Sequence, residues 1–335
     1  MGDADKAIKV HEEATVVDIM QVFSPIVDAG YFKTLKEAGV SAIHTAIPPD
    51  DLNTMMSKLA KLYDVLEQAE NAVLATSFPT VKNAKRDGKV AVIVGIQDSV
   101  PFEKDLDLLK TFHKLGIRIV QLAYSKRNYF GTGCFESKDS GLSELGVGAV
   151  KELNRLGILI DVSHCGNKTV MDVLETSKDP VAFTHATPSA LVEMGTRAKS
   201  DELIKALAEK GGVTGQMIWT PFCERRDKKT RPAIDDFVDL LSHIVNLTSV
   251  DHVGLGLDTA PFFTKEYYKE WAKHAGGMML PHKTPTFEEK YVAGFDNIID
   301  LPKITKALLS HGYSEQETTK ILGKNWLDLL SKVWK

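Results

Sequence analysis

Short, almost wholly apolar runs recur along this chain, and each is followed by a segment whose apolar positions fall three and four apart. The runs are TVVDIMQVF (15–23), SAIHTAI (41–47), VAVIVGIQ (90–97), IRIVQLAY (117–124), GILIDVSH (157–164), PVAFTH (180–185), VTGQMIW (213–219) and HVGLGLD (252–258). Continuous apolar runs of this length are expected of parallel strands covered on both faces, whereas a half-exposed strand alternates. The intervening segments read as amphipathic helices. In DLNTMMSKLAKLYDVLEQAE (51–70), Leu52, Met55, Leu59, Leu62 and Leu66 share one face. SELGVGAVKELNRLG (143–157) places Ser143 as an N-cap and Gly157 as a C-cap, SDELIKALAEKGG (200–212) repeats the pattern, and FVDLLSHIVNL (237–247) is a further helix.

Strict alternation of strand and helix through eight strands predicts an α/β fold of the (β/α)8 TIM-barrel type, one domain over residues 1–335. An open doubly wound sheet is the structural alternative, but no GxGxxG or P-loop motif follows any strand. The stretch 260–299 reads as an elaborated loop after the eighth strand and carries His274 and His282.

Composition narrows the function classes. The net charge is −4 with no basic stripe, which argues against a nucleic-acid partner. No apolar run approaches the length of a membrane span, and MGDADKAIKVHEE lacks the apolar core of a signal peptide. The three cysteines, Cys134, Cys165 and Cys223, are widely spaced and include no CxxC pair. The expectation is a cytoplasmic enzyme or binding protein that takes a small-molecule partner.

Barrels of this class build their active sites at the carboxyl ends of the strands, so the terminal residues are the place to look. They include Met20, Val22, His44, Gln97, Asp98, Tyr124, His164, His185, Trp219 and Asp258. His164 and His185 close adjacent strands and can converge as imidazole ligands for zinc or a similar divalent ion, with Asp258 as a third ligand or as a general base. The alternative for each histidine is a hydrogen-bonded rim residue. Arg197 can receive a substrate carboxylate through its planar fork, or lie solvated in its loop. Tyr124, Gln97 and His44 complete the candidate substrate contacts. Cys165, beside His164, is a weaker candidate nucleophile.

LNRLGILIDVSH, PVAFTHATPSAL, ALAEKGGV, VDHVGLGLD and LLSHGYSEQETTKILGKNWL, in this order, resemble the renal or membrane dipeptidase family of the amidohydrolase superfamily. The resemblance is dense from about residue 88 to 258 and resumes over the last forty or so residues. It implies a (β/α)8 barrel with two zinc ions bridged by a glutamate, cleaving dipeptides that carry a free carboxylate, and a homodimer. It also implies that His164 and His185 are zinc ligands, that Asp258 assists proton transfer and that Arg197 receives the substrate carboxylate.

Several positions depart from that pattern. The family's His-x-Asp pair on strand one is occupied by Met20 and Val22, its bridging glutamate by Gln97, and a substrate-polarising histidine near strand four by Tyr124. A thioether and an isopropyl group are not hydrolytic zinc ligands, and a neutral amide lacks the charge that holds two cations together. The sequence therefore predicts at most one divalent metal, on His164, His185 and Asp258, in a hydrolase of small carboxylate-bearing amides or dipeptides. Two alternatives stay open. One is a non-peptidase enzyme of lyase, decarboxylase or isomerase type, metal-free or with one metal, using Asp258, His164 and His185 as acid–base groups. The other is an inactive homologue that binds a ligand or partner.

Overall fold

The computed structural model describes residues 2–24, 27–227, 230–275 and 284–334. Its strands are β1 (Val16–Val22), β2 (Val40–Ile47), β3 (Ala72–Leu74), β4 (Val90–Ile96), β5 (Ile117–Gln121), β6 (Leu159–Asp161), β7 (Ala182–Ala186), β8 (Val213–Gln216) and β9 (Val253–Leu255). All pair in parallel, and β2 pairs directly with β4, so β1, β2 and β4 to β9 close into the eight-stranded barrel that the alternation predicts. The short β3 was not visible as an apolar run. It pairs with Val90–Val92 at the start of β4, while β5 takes up Val94–Ile96.

The hydrogen-bonded ladders are shorter than the apolar runs. Residues 162–164 and 256–258 continue past β6 and β9 towards the carboxyl-terminal mouth, where the strands diverge. The seam between β1 and β9 has one ladder pair, Asp18 with Leu255. It is reinforced by the buried Asp18 carboxylate, which accepts from Leu257 N at 2.9 Å and Gln21 Nε2 at 2.9 Å, and by Asp258 N donating to Met20 O at 2.8 Å.

The expected helices form at Leu52–Gln68, Glu144–Leu156, Asp201–Glu209 and Ile234–Leu247. Ser143 caps its helix by accepting from Gly146 N, and Gly157 ends it in the left-handed conformation (φ 70°), which costs a glycine least. Apolar side chains divide into two layers. Ile43, Val92, Val120, Ile160, Phe183 and Leu255 pack outward against the helices. Val17, Ala42, Ile93, Ile119, Leu159 and Val213 fill the barrel's lower interior together with Trp326, Leu329 and Leu330 of the C-terminal helix. That apolar floor leaves the polar interior positions gathered at the other end.

The segment after β9 forms a helix at Lys265–Ala275, followed by single-turn helices at Phe287–Glu289 and Ile298–Asp300. His282 and the side chain of His274 lie outside the described residues. No described helix is long and apolar enough to cross a membrane.

Candidate active site

The rim built by β6 and β7 brings His164 and His185 together, with their Nε2 atoms 2.9 Å apart. The surrounding bonds determine their tautomers. Asp161, buried at the end of β6, accepts from Ser163 Oγ at 2.5 Å, Ser163 N at 2.9 Å, Thr184 N at 3.2 Å and Thr184 Oγ1 at 2.6 Å. With its only proton given to Asp161, Thr184 Oγ1 accepts from His185 Nδ1 at 2.7 Å. Neutral His185 then presents a bare Nε2, to which His164 Nε2–H donates. This leaves His164 Nδ1 unprotonated, 4.0 Å from Cys134 Sγ.

Burial pushes both imidazoles well below their ordinary pKa, and the nearby Arg197 guanidinium pushes in the same direction. Tyr124 stacks on His164 at a centroid distance of 4.0 Å and an interplanar angle of 19°.

Arg197 reaches this rim but is itself buried. Its Nη2 donates to His185 O at 3.0 Å and its Nη1 contacts Ser163 O at 3.3 Å, while the guanidinium lies 5.2 Å from the Phe222 ring centroid. Its charge is therefore anchored beneath the histidines. Lys199, which sequence reasoning passed over, is wholly buried nearby and donates to Cys165 O at 2.7 Å and Thr196 O at 3.2 Å. Burial lowers its ammonium to about 8. Asp161, Thr184 and Cys134 were likewise missed, because each acts through a neighbour on another strand and no local spacing announces that.

Asp258 stands across the mouth with φ 59°, a left-handed conformation that is strained for a residue with a side chain. Its backbone is held by Met20 O and by the Trp219 indole, whose Nε1 donates to Asp258 O. Although the residue keeps some exposure, desolvation raises its carboxyl to about 7, and Arg197 opposes the shift. Asp18 and Asp161, both negative, add to it.

Of the remaining candidates, His44 lies inside the barrel. Its Nδ1–H donates to Ile19 O at 2.8 Å, so Nε2 is the bare nitrogen, and among the described residues that atom has no hydrogen-bond partner. Burial lowers its pKa to about 4. The ring lies over Gly95, where an added Cβ would fall 2.2 Å from Nε2; this close approach explains the glycine. Gln97 is buried on β4's end, and its carbonyl accepts from Gln121 Nε2 at 2.5 Å. Asp98 is structural, accepting from Asn128 Nδ2, Tyr124 N and Val100 N. Cys165 is fully buried with its thiol pushed up to about 12, a poor nucleophile. Lys126 and Arg127 are exposed.

This donor set does not fit a two-metal centre. Met20 and Val22 supply no hydrolytic zinc ligand, and Gln97 carries no charge. Among the described residues, no group of three His, Cys, Asp or Glu side chains stands close enough to hold one ion. Two imidazoles on one tetrahedral zinc would sit about 3.3 Å apart with both facing nitrogens unprotonated. Here they are 2.9 Å apart and share a proton. Two buried cations, Arg197 and Lys199, further disfavour a dication.

The sequence pattern of the family described as Membrane dipeptidase (Peptidase family M19) matches residues 4–268. The chain belongs to this family. Its members are metallopeptidases. Dipeptidase tcpJ of Claviceps purpurea is 28% identical over 297 residues, 87% of this chain and 62% of tcpJ. An uncharacterized dipeptidase of Schizosaccharomyces pombe is 32% identical over 178 residues, covering 52% of this chain and 42% of that protein. The chain thus spans less than two thirds of the length of either relative. An amidohydrolase structure from Pseudomonas aeruginosa superposes with a TM-score of 0.89 at 28% identity, covering 98% of this chain and 99% of that one.

Proposed function

We propose that this membrane-dipeptidase relative hydrolyses a small carboxylate-bearing amide or dipeptide using side-chain acid–base groups, without the family's two-metal centre. The observation that carries the proposal is Asp258, whose carboxyl is raised to about 7 on the same mouth as a neutral, hydrogen-bonded histidine pair. A carboxylate that titrates near neutrality is suited to take a proton from water and return it to a leaving amine. The dipeptidase names of the relatives support the substrate class.

In this reading Asp258 is the general base towards water. The His164 Nδ1 lone pair and the Tyr124 face bound the opposite wall, and the anchored charge of Arg197 draws the substrate carboxylate to the rim. Gln97 and His44 line the floor beneath the reacting bond. A cytoplasmic location and a homodimer belong to the same proposal; the three cysteines are buried free thiols, in keeping with a reducing compartment.

A dipeptide panel assayed with protein whose metal content is measured tests the proposal. Turnover by metal-free protein is expected. No turnover of any panel member, or activity only with about two bound metal ions per chain, overturns it. One ion lost in His164→Ala, with activity lost in parallel, would instead establish the mononuclear site on His164, His185 and Asp258.

The run of hydrogen bonds from Asp161 through Thr184 and His185 to His164 also favours a second reading, proton transfer without hydrolysis, as in a decarboxylation, elimination or isomerisation. Turnover of a small carboxylate lacking an amide bond would distinguish it.

A further inference from the structure

Beyond the histidine rim, the segment that follows Asp258 builds a second cleft of about 540 Å³, within the range of small-molecule sites. Its walls include the rings of Tyr31, Phe263, Phe287 and Tyr291, and three charges line it: Lys290, Asp296 and Glu288, the last already paired with Lys265 at 2.6 Å. The Lys290 ammonium lies 4.0 Å from the Phe287 ring centroid and 4.8 Å from that of Tyr291. It has three N–H donors, yet among the described residues its one hydrogen bond is to Phe287 O at 3.3 Å. The Asp296 carboxylate makes no hydrogen bond or ion pair among the described residues, although it is near enough to Lys290 to act on its charge. The two are thus a facing cation and anion, neither neutralised by direct contact, at the edge of an aromatic-walled recess.

A ligand complementary to this arrangement carries a carboxylate, an ammonium and a flat or bulky apolar group. We propose that the cleft binds a free amino acid with an aromatic side chain. Its carboxylate lies on Lys290, its ammonium on Asp296, and its ring between Phe263 and Phe287. The proposal stands on the cleft itself and not on the hydrolytic reading of the barrel mouth.

The cleft also touches the site already described. Tyr291 Oη accepts from Ala260 N at 2.9 Å, two residues past Asp258. The Tyr291 ring lies 5.3 Å from that of Trp219, whose indole holds the Asp258 carbonyl. Tyr291 and Trp219 thus join the cleft to the backbone at Asp258.

Titration with L-phenylalanine, read by tryptophan fluorescence and by thermal shift, tests the proposal without any assay of turnover. Trp219 and Trp271 pack on Tyr291 and Phe263 and report on the cleft. Saturable, stabilising binding is expected. It should weaken about tenfold or more in Lys290→Met and in Asp296→Asn, the loss of one charge-assisted contact each. Phenethylamine, lacking the carboxylate, and 3-phenylpropionate, lacking the ammonium, should bind correspondingly less well, and His164→Gln should leave L-phenylalanine binding unchanged. Absence of saturable binding at millimolar ligand overturns the proposal. So does binding that survives both charge variants, or binding lost in His164→Gln but kept in Lys290→Met, which would place the ligand in the barrel mouth. Asp296 is exposed, so its variant keeps the test open should Lys290→Met fail to fold.

Discussion

The two sides of the barrel mouth have diverged in character. On the β6–β7 side the polar groups are dense and mutually satisfied. Asp161, Ser163, Thr184, His185 and His164 form one connected network, with Arg197 and Lys199 buried beneath it. On the β1–β4 side stand the uncharged Met20, Val22 and Gln97, and the bare His44 Nε2 has no hydrogen-bond partner among the described residues. The contrast teaches that a neighbouring carboxylate and hydroxyl can assign the tautomers of an imidazole pair through hydrogen bonds alone.

The sharpest way to break this comparison is to remove the group that faces both sides. Asp258→Asn should lower kcat/KM by about 10²- to 10⁴-fold, the usual contribution of a general base, and wild-type kcat/KM should rise with an acid limb centred near pH 7. An unchanged rate, or a limb well below neutrality, would remove Asp258 from the mechanism.

Restoring the neutralised side comes next. The triple variant Met20→His, Val22→Asp, Gln97→Glu should bind more zinc per chain than the parent, measured by elemental analysis after dialysis. If parent and variant bind zinc equally, the departures at these positions do not decide metal content.

Cutting the network on the satisfied side should cost stability. Thr184→Val leaves His185 Nδ1 and one lone pair of Asp161 unpaired, and should destabilise the fold by about 1–3 kcal/mol in urea unfolding. A neutral effect would show that the relay does not set the histidine tautomers.

The last effect is one of pH. Burial raises the Asp18 carboxyl to about 6, so the fold holds that proton more tightly than the unfolded chain does. The group's contribution is complete below about pH 4 and is lost as pH rises through about 6, amounting to about 3 kcal/mol at most. His164 and His185 act in the opposite direction. Held neutral in the fold, they contribute above about pH 6.5 and lose that contribution as pH falls. Asp18→Asn keeps the overall shape of the β1–β9 seam, so the stability of wild type relative to the variant should decline between about pH 4 and about pH 7. A flat difference would mean that the carboxyl titrates alike in both states.

Much of the fold was legible because its signals are local. The eight apolar runs, the helical spacing of Leu52 to Leu66, the Ser143 cap and the Gly157 terminus are each set by residues a few positions apart. β3 escaped notice because three residues carry no periodicity. Half of the candidate site was legible for the same reason: barrel strands end at a known place, so His164, His185 and Asp258 could be read off as terminal residues. The depleted donor set was visible in Met20, Val22 and Gln97, since residue type alone decides whether a side chain can bind zinc.

The rest is a matter of distance across strands. No spacing says that Thr184 bridges Asp161 and His185 by hydrogen bonds, that Lys199 is buried beneath the rim, or that Arg197 is spent on backbone carbonyls. Nor does any spacing show that Trp219 and Met20 hold Asp258 in a left-handed turn. These follow from burial, which makes each unpaired polar group costly and so forces partners together from remote parts of the chain. The sequence by itself determined the barrel, the terminal residues of its strands and the uncharged character of Met20, Val22 and Gln97. Only the tertiary structure decided their protonation, because a pKa is a property of surroundings that closing the barrel creates.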